Sequence, residues 1–247
     1  MCSLRVSPDK AREIEQNTRQ QRLSPLWFDV RRYRITSSIF GHVISRRADT
    51  PPDNLVLRII QPRSFSTPAT KYGIENEQVA LEKYIACQKA EGHPDIAVSP
   101  SGFHICAEHP FLGASPDGLV YDPSNTQQPF GFLEIKCPYS CRLQTPIEAC
   151  GMSGFCCSLD SSSTKLLLKE SHPYYSQIQG QMAIGERPWC DFVIYTPKGI
   201  SIQRIGYNED FWKSKLLPKL TAFYVNCVGP EIVSPLHPLG LPIRDLS

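Results

Sequence analysis

The sequence predicts an α/β (α+β) fold in one large domain, and three observations carry that expectation. The chain has 247 residues, 41% hydrophobic and 20% charged, enough to bury a sizeable core in one domain with extensions. An amphipathic stretch from Lys71 to Gln88 leads into short apolar runs separated by turn residues, the pattern of a helix followed by strands. A second helical stretch opening at Ser171-His172-Pro173 leads into two apolar runs around Thr196-Pro197-Lys198-Gly199, a hairpin signal. No internal repeat is present.

The elements follow in chain order. The N-terminus has no apolar signal-like core, and no run approaches the roughly 18 apolar residues of a membrane span; a soluble, intracellular protein is expected, with nucleus and cytoplasm both open. Ser7-Pro8-Asp9 starts a polar helix reaching about Gln21: a capping hydroxyl, Pro in the first turn and an acid beside it. Residues 1–24 thus form a helical extension, 25–228 the main domain and 229–247 a Pro-rich tail. Thr36 or Ser37 can cap a short helix through Ile44. There, free backbone N–H groups, serine hydroxyls and the guanidinium groups of Arg31, Arg32 and Arg34 would converge on a terminal phosphate; a simple capped surface helix reads equally well. A short helix over 51–61, opened by Pro52-Asp53, and a Pro/Ser/Thr loop to Thr70 come next.

Along Lys71–Gln88 a helical period places Ile74, Glu77, Leu81, Tyr84 and Ile85 on one face, with Glu75, Glu82 and Lys83 elsewhere. An acid on an apolar stripe needs a positive partner, so Glu77 calls for a buried Arg or a metal ion. Residues 96–98 and 103–106 read as strands leading to the central stretch, Gly113 to Pro138. A strand through 132–137 puts Glu134 and Lys136 on one face with Leu133 and Ile135 inward. A hairpin with Leu119-Val120-Tyr121 brings Asp117 up to Glu134. Two carboxylates side by side are costly unless a cation lies between them, and hard oxygen donors select Mg²⁺ or Mn²⁺. The alternative is a solvated sheet face with an ordinary Glu-Lys neighbour pair.

From Pro138 to about Ser163 the sequence is irregular and rich in Ser, Gly and Cys, read as an insertion or mobile loop near the active face. Lys165–Lys169 is a short apolar run with basic ends. The ten cysteines lack C-x-x-C spacing and read as reduced thiols. The helix at Pro173 shows Tyr174, Gln177, Ile178 and Gln181 on one face, and amides among apolar residues need buried partners. A last helix spans about 209–225, and the tail is expected to be extended or disordered. Residues 1–63 hold 12 Lys/Arg against 6 Asp/Glu, while the remainder holds 14 against 18; this suggests a polyanion-facing surface before an acidic, metal-seeking centre, or an ordinary solvated helix face.

Five short blocks in this order resemble the PD-(D/E)XK nuclease superfamily, in its branch of YqaJ-type viral recombinases of the lambda-exonuclease type. They are Trp27-x3-Arg31-x3-Ile35-Thr36-x-Ser38, Gly73-x3-Glu77-x2-Ala80, Ser115-Pro116-Asp117-Gly118, Leu133-Glu134-Ile135-Lys136-Cys137-Pro138 and Tyr174-x2-Gln177-x-Gln179. The resemblance implies a restriction-endonuclease-like core, a central mixed sheet flanked by helices. It implies metal binding by Asp117, Glu134, the Ile135 carbonyl and Glu77, with Mg²⁺ as cofactor and Mn²⁺ as substitute. Lys136 would orient or deprotonate the attacking water, Gln177 would hold Lys136 and the nucleophile, and Arg31 and Ser38 would contact a 5′-terminal phosphate. The implied activity is 5′-3′ exonuclease action on double-stranded DNA ends, releasing 5′-mononucleotides in recombination or repair, with a single-strand annealing protein as a conceivable partner. An endonuclease of the same superfamily, or an inactive DNA-binding scaffold, are the alternatives. The longer segment between Pro138 and Tyr174 and the basic Arg32-Tyr33-Arg34 depart from the phage pattern.

Overall fold

Ser7 caps the first helix as its sequence dictates: the hydroxyl accepts from the Lys10 N–H at 3.2 Å, and Pro8 opens the first turn. The structure, a computed structural model, describes residues 4–61, 67–162 and 165–246; Cys2 and most of the loop expected after residue 61 lie outside them. Helix α1 (Pro8–Asn17) stops short of Gln21 because the Thr18 hydroxyl turns back to the Ile14 carbonyl at 2.6 Å and accepts the Phe103 N–H at 2.7 Å. A single 3₁₀ turn, Gln21–Leu23, then carries Gln21 at φ 44°. Next come α2 (Pro25–Arg31), β1 (Ile35–Thr36), α3 (Phe40–Ile44), α4 (Asp53–Ile60) and the long α5 (Pro68–Ala90), which starts on a reciprocal Thr67–Thr70 cap.

Strands β2 (Ala97–Ser99), β3 (His104–Ile105), β4 (Leu112–Ala114), β5 (Gly118–Tyr121) and β6 (Phe130–Lys136) precede α6 (Pro146–Ala149), β7 (Cys157–Leu159) and β8 (Leu166–Leu168). Then follow α7 (Pro173–Gly185), β9 (Trp189–Thr196), β10 (Gly199–Gly206), α8 (Leu217–Phe223) and α9 (Gly229–Val233). The main sheet has the order β10-β9-β6-β5-β2. β6 and β9 run parallel and the other neighbours antiparallel, so the sheet is mixed. β1, β4 and β3 form a second small sheet, and β7 and β8 a hairpin.

Central strand β6 has an apolar layer on each side. Leu133 and Ile135 pack with Ala80 and Tyr84 of α5, while Phe132 packs in the larger cluster with Ile178 and Met182 of α7. Helix α3 approaches α7 so closely that a Cβ at Gly180 would lie 2.4 Å from the Phe40 ring, and one at Gly41 would lie 2.4 Å from Pro173 Cα; only glycine fits either position. Across the α5 face, Asp191 of β9 is buried and receives Arg204 through two bonds of 2.9 Å, the Tyr84 hydroxyl at 2.6 Å and Gln88 at 3.2 Å. Arg204 also reaches Asp122 at 2.8 Å and stacks 3.8 Å above Trp189.

Several sequence expectations are corrected. Ile74 is half exposed and the buried side of α5 runs through Ala80, Tyr84 and Gln88, because α5 meets the sheet mainly with its later turns. The described part of the segment after Pro138, to residue 162, is folded rather than a loose loop: α6 carries a Thr145–Glu148 capping box, and Cys141, Ala149, Phe155, Cys156 and Cys157 join the main core, as do Leu166 and Leu168 of the run that follows. Its apolar content sits in small and sulfur-bearing residues, which masks the pattern. The last helix runs on to Val233 through π-helical turns at Phe211–Leu216 and Tyr224–Val228, the first leading up to Pro218, which lacks an N–H donor. The tail is docked rather than extended. Buried Glu231 accepts from the N–H groups of Leu236 and His237, Ile243 is buried with its N–H on Asp53 at 3.3 Å, and Asp245 pairs with Arg46 at 2.8 Å.

The nine cysteines among the described residues are thiols joined by no disulfide. Among those residues no helix is long and apolar enough to cross a membrane. Removing Asp191 leaves the Tyr84 hydroxyl and the Gln88 amide without their buried acceptor, while Arg204 keeps Asp122. Asp191→Ala should therefore lower unfolding stability by about 1–3 kcal/mol in urea titration, and an unchanged stability would show that the network contributes little.

Candidate active site

The site is built around a carboxylate that the strand buries. Glu134 lies in the middle of β6, opposite Phe192 of β9, and is 2% exposed. Its Oε1 accepts from Lys136 Nζ at 2.5 Å and from Gln177 Nε2 at 2.6 Å, and its Oε2 accepts from Gln181 Nε2 at 2.7 Å. The solvated-face alternative for this strand is thereby excluded. The two-residue period of β6 puts Lys136 beside Glu134, and the i, i+4 spacing on α7 puts Gln177 and Gln181 over the same carboxylate.

Asp117 immediately precedes β5. Its Oδ2 accepts the Ile135 N–H at 2.7 Å and its own N–H donates to Leu133 O at 3.0 Å, so the backbone of β6 holds it beside Glu134. Burial, and then the nearby charge of Glu134, push the Asp117 carboxyl well above the usual carboxylate range. Burial alone would lower the Lys136 ammonium, but Glu134 and Asp117 outweigh it and raise its pKa. Glu77 enters from α5. Its Oε2 lies 3.4 Å from Arg22 Nη2, a half-exposed pair rather than the buried Arg partner considered from sequence. Burial raises the Glu77 pKa more than Arg22 lowers it, and Glu134 adds to the rise. Glu75, two positions earlier, is exposed. Cys137 is pushed up to about 12 by burial and then by Glu77 and Asp117, which keeps it a neutral thiol.

Arg31 lies face-on over Trp27, 3.9 Å from the ring centroid, and its Nη1 donates to Ser115 Oγ at 3.3 Å; the Trp27 indole N–H donates to the same oxygen at 2.9 Å. Burial lowers the Arg31 pKa to about 10, with no carboxylate among the described residues opposing it. Ser38 is exposed and its hydroxyl pairs with Thr36 at 3.2 Å. Thr36 makes no cap bond, and the chain passes through a 3₁₀ turn, Ser37–Ile39, before α3. Arg34 does not join a phosphate cluster: it is buried and its guanidinium donates to the carbonyls of Pro110, Val30 and Leu4.

The structure thus brings Asp117, Glu134, Lys136 and Gln177 together, with Glu77 electrostatically coupled to them but turned toward Arg22. Among the described residues no three His, Cys, Asp or Glu side chains close up into a ready metal-holding group. The donor chemistry nevertheless fits a hard divalent cation: the carboxylates are oxygen donors, and the burial and, after it, the Glu134 charge that raise Asp117 are what a cation would offset. Ser115 and Arg22 are neighbours of these groups to which sequence reasoning gave no role of their own. Gln181, read from sequence only as an amide beside Gln177 that needs a buried partner, finds that partner in Glu134. Gln179 is structural, donating to the Gly206 carbonyl and accepting the Asn208 N–H.

The family model of the YqaJ-like viral recombinase domain matches residues 26–188. No curated protein sequence matches the chain. Among solved structures, the alkaline exonuclease LHK-Exo of Laribacter hongkongensis is similar at 25% identity with a TM-score of 0.62, over 87% of this chain and 97% of that one. Its complex with dAMP gives 0.63 at 25% identity, over the same 87% and 97%. The shutoff and exonuclease protein of Kaposi's sarcoma associated herpesvirus is similar in fold, at 15% identity with a TM-score of 0.55 over 91% and 73%.

A carboxyl whose folded pKa is raised favours the fold while protonated, and that contribution is lost as pH rises from the ordinary carboxylate range toward the folded value. In metal-free buffer, Asp117→Asn should therefore have a higher melting temperature than wild type at neutral pH, the gap closing toward pH 4. Added Mg²⁺ should stabilise wild type and not the variant. Equal melting curves across this range would rule out the strained carboxylate.

Proposed function

We propose, from the premise that the chain belongs to the YqaJ-like viral recombinase domain family, that it is a divalent-metal-dependent DNA exonuclease acting from 5′-phosphorylated duplex ends. Likeness at 25% identity to an alkaline exonuclease supports a nuclease. The observation that carries the reading is the buried Glu134, fixed by Lys136, Gln177 and Gln181 beside Asp117. Asp117, Glu134 and the Ile135 carbonyl would hold the cations, with Glu77 reaching in from α5. When bound, Mg²⁺, or Mn²⁺ in its place, lowers the pKa of the attacking water and neutralises charge on the departing 3′ oxygen.

The chain's own groups do the rest. Lys136 stays cationic against Glu134 and orients the water that attacks the phosphate, while Gln177 and Gln181 keep the Glu134 oxygens aimed. Arg31, desolvated over Trp27, suits a terminal phosphate, and its hydrogen bond to Ser115, two residues from Asp117, supports that role. Ser38, exposed before α3, would complete the pocket. Double-stranded DNA ends are the proposed substrate.

Asp117→Ala or Glu134→Ala should abolish hydrolysis in Mg²⁺ with the fold retained, read by circular dichroism beside the nuclease assay; near-normal cleavage sinks the assignment. A charge-assisted phosphate contact contributes about 1.5–3 kcal/mol, so end-labelled duplex should be degraded roughly tenfold to hundredfold faster with a 5′ phosphate than with a 5′ hydroxyl. Arg31→Ala should shrink that margin by slowing the phosphorylated substrate. Closed circular DNA cut as fast as linear duplex would replace this reading with an endonuclease.

A further inference from the structure

A cavity of about 340 Å³ opens between the segment after α1 and the face of α5, lined by Arg19, Arg22, Leu23, Glu77, Ser99 and Asp117 among others. Its wall is held in place. Gln21, in a left-handed conformation, donates its side-chain amide to the Ser101 carbonyl at 3.0 Å and the Pro116 carbonyl at 2.9 Å, so the turn is pinned to the residue that precedes Asp117. Two arginines face this wall on different terms. Arg19 is committed to Glu15 through contacts of 2.9–3.2 Å. Arg22 makes a single long contact, 3.4 Å, to Glu77, with both side chains half exposed. Glu77 is the carboxylate that must leave this partner to serve a cation beside Asp117.

We propose that Arg22 is a substrate-binding residue held in reserve by Glu77: in the metal-free cleft it occupies the carboxylate, and when Glu77 turns to the divalent cation the freed guanidinium takes a DNA phosphate at the cleft wall. The inference rests on the cleft being the metal-dependent nuclease site. It makes metal loading and phosphate binding one exchange: the pair that breaks is weak, an exposed ion pair of low worth, and the phosphate that replaces it offers a bidentate, charge-assisted contact. The turn pinned by Gln21 supplies the wall from which Arg22 acts, so little chain has to move.

The test uses the full chain as wild type, Arg22→Ala, Arg22→Lys and Asp117→Asn. Mn²⁺ binding is measured by calorimetry without DNA. Binding of a 5′-phosphorylated duplex with a phosphorothioate backbone, which resists hydrolysis, is measured by fluorescence anisotropy in Mn²⁺ over a series of salt concentrations. Arg22→Ala should bind Mn²⁺ roughly two- to fivefold more tightly, because Glu77 loses its competitor. It should bind duplex more weakly, with the slope of log affinity against log salt reduced by about one. Arg22→Lys should keep the wild-type slope. An unchanged Mn²⁺ affinity or an unchanged salt slope in Arg22→Ala overturns the inference while Asp117→Asn still loses Mn²⁺. If Asp117→Asn binds Mn²⁺ as wild type does, the metal-site reading falls and this inference with it.

Discussion

Everything at the cleft depends on how the chain keeps one carboxylate inside its central strand. Burying Glu134 between two apolar layers is expensive unless each oxygen is engaged, and the strand and α7 together supply Lys136, Gln177 and Gln181 for the purpose. Those donors come from a strand and a helix with fixed phase, not from loops, so the aim of the carboxylate follows from secondary structure. The same packing that makes β6 a core strand, with Leu133 and Ile135 against α5 and Phe132 against α7, makes the position of Glu134 rigid.

Charge in the cleft is arranged as an unfinished balance. Lys136 answers Glu134, yet Asp117 is held close by the Ile135 N–H and remains strained. Glu77, the third acid, sits across the cavity against an arginine that holds it loosely. Added positive charge would relieve such a set, and the proposed cation rests on that imbalance. By contrast the charges around Asp191 are matched by Arg204, and nothing there asks for a ligand.

The sequence made much of this legible. A two-residue period sufficed for Glu134 and Lys136, a hairpin for Asp117, and a helical phase for separating Glu77 from exposed Glu75, although the same phase misplaced Ile74. What stayed hidden depends on distance along the chain. Arg22 reaches Glu77 only because Gln21 adopts a left-handed conformation and grips two carbonyls far away in sequence. Gln179 and Gln181 look alike as letters, and only the helix packing tells that one serves the backbone of the following loop and the other Glu134. The segment after Pro138 and the tail were misread for a related reason: cysteines, alanines and prolines pack well without showing a period.

The anchoring of α5 gives the helix the mechanics of a lever. Tyr84 and Gln88 tie its later turns to Asp191, while its earlier turns leave Ile74 and Val79 exposed and meet Tyr139 through Tyr72. Glu77 precedes Tyr84 by two turns, about 10 Å at 1.5 Å per residue, so a tilt of roughly 5° about that fulcrum displaces its carboxylate by nearly 1 Å. A shift of that size is enough to cost about a hundredfold in rate when it falls on a reacting geometry. The contacts of Tyr84 and Gln88 with Asp191 thereby bear on where Glu77 sits relative to Asp117 and Glu134.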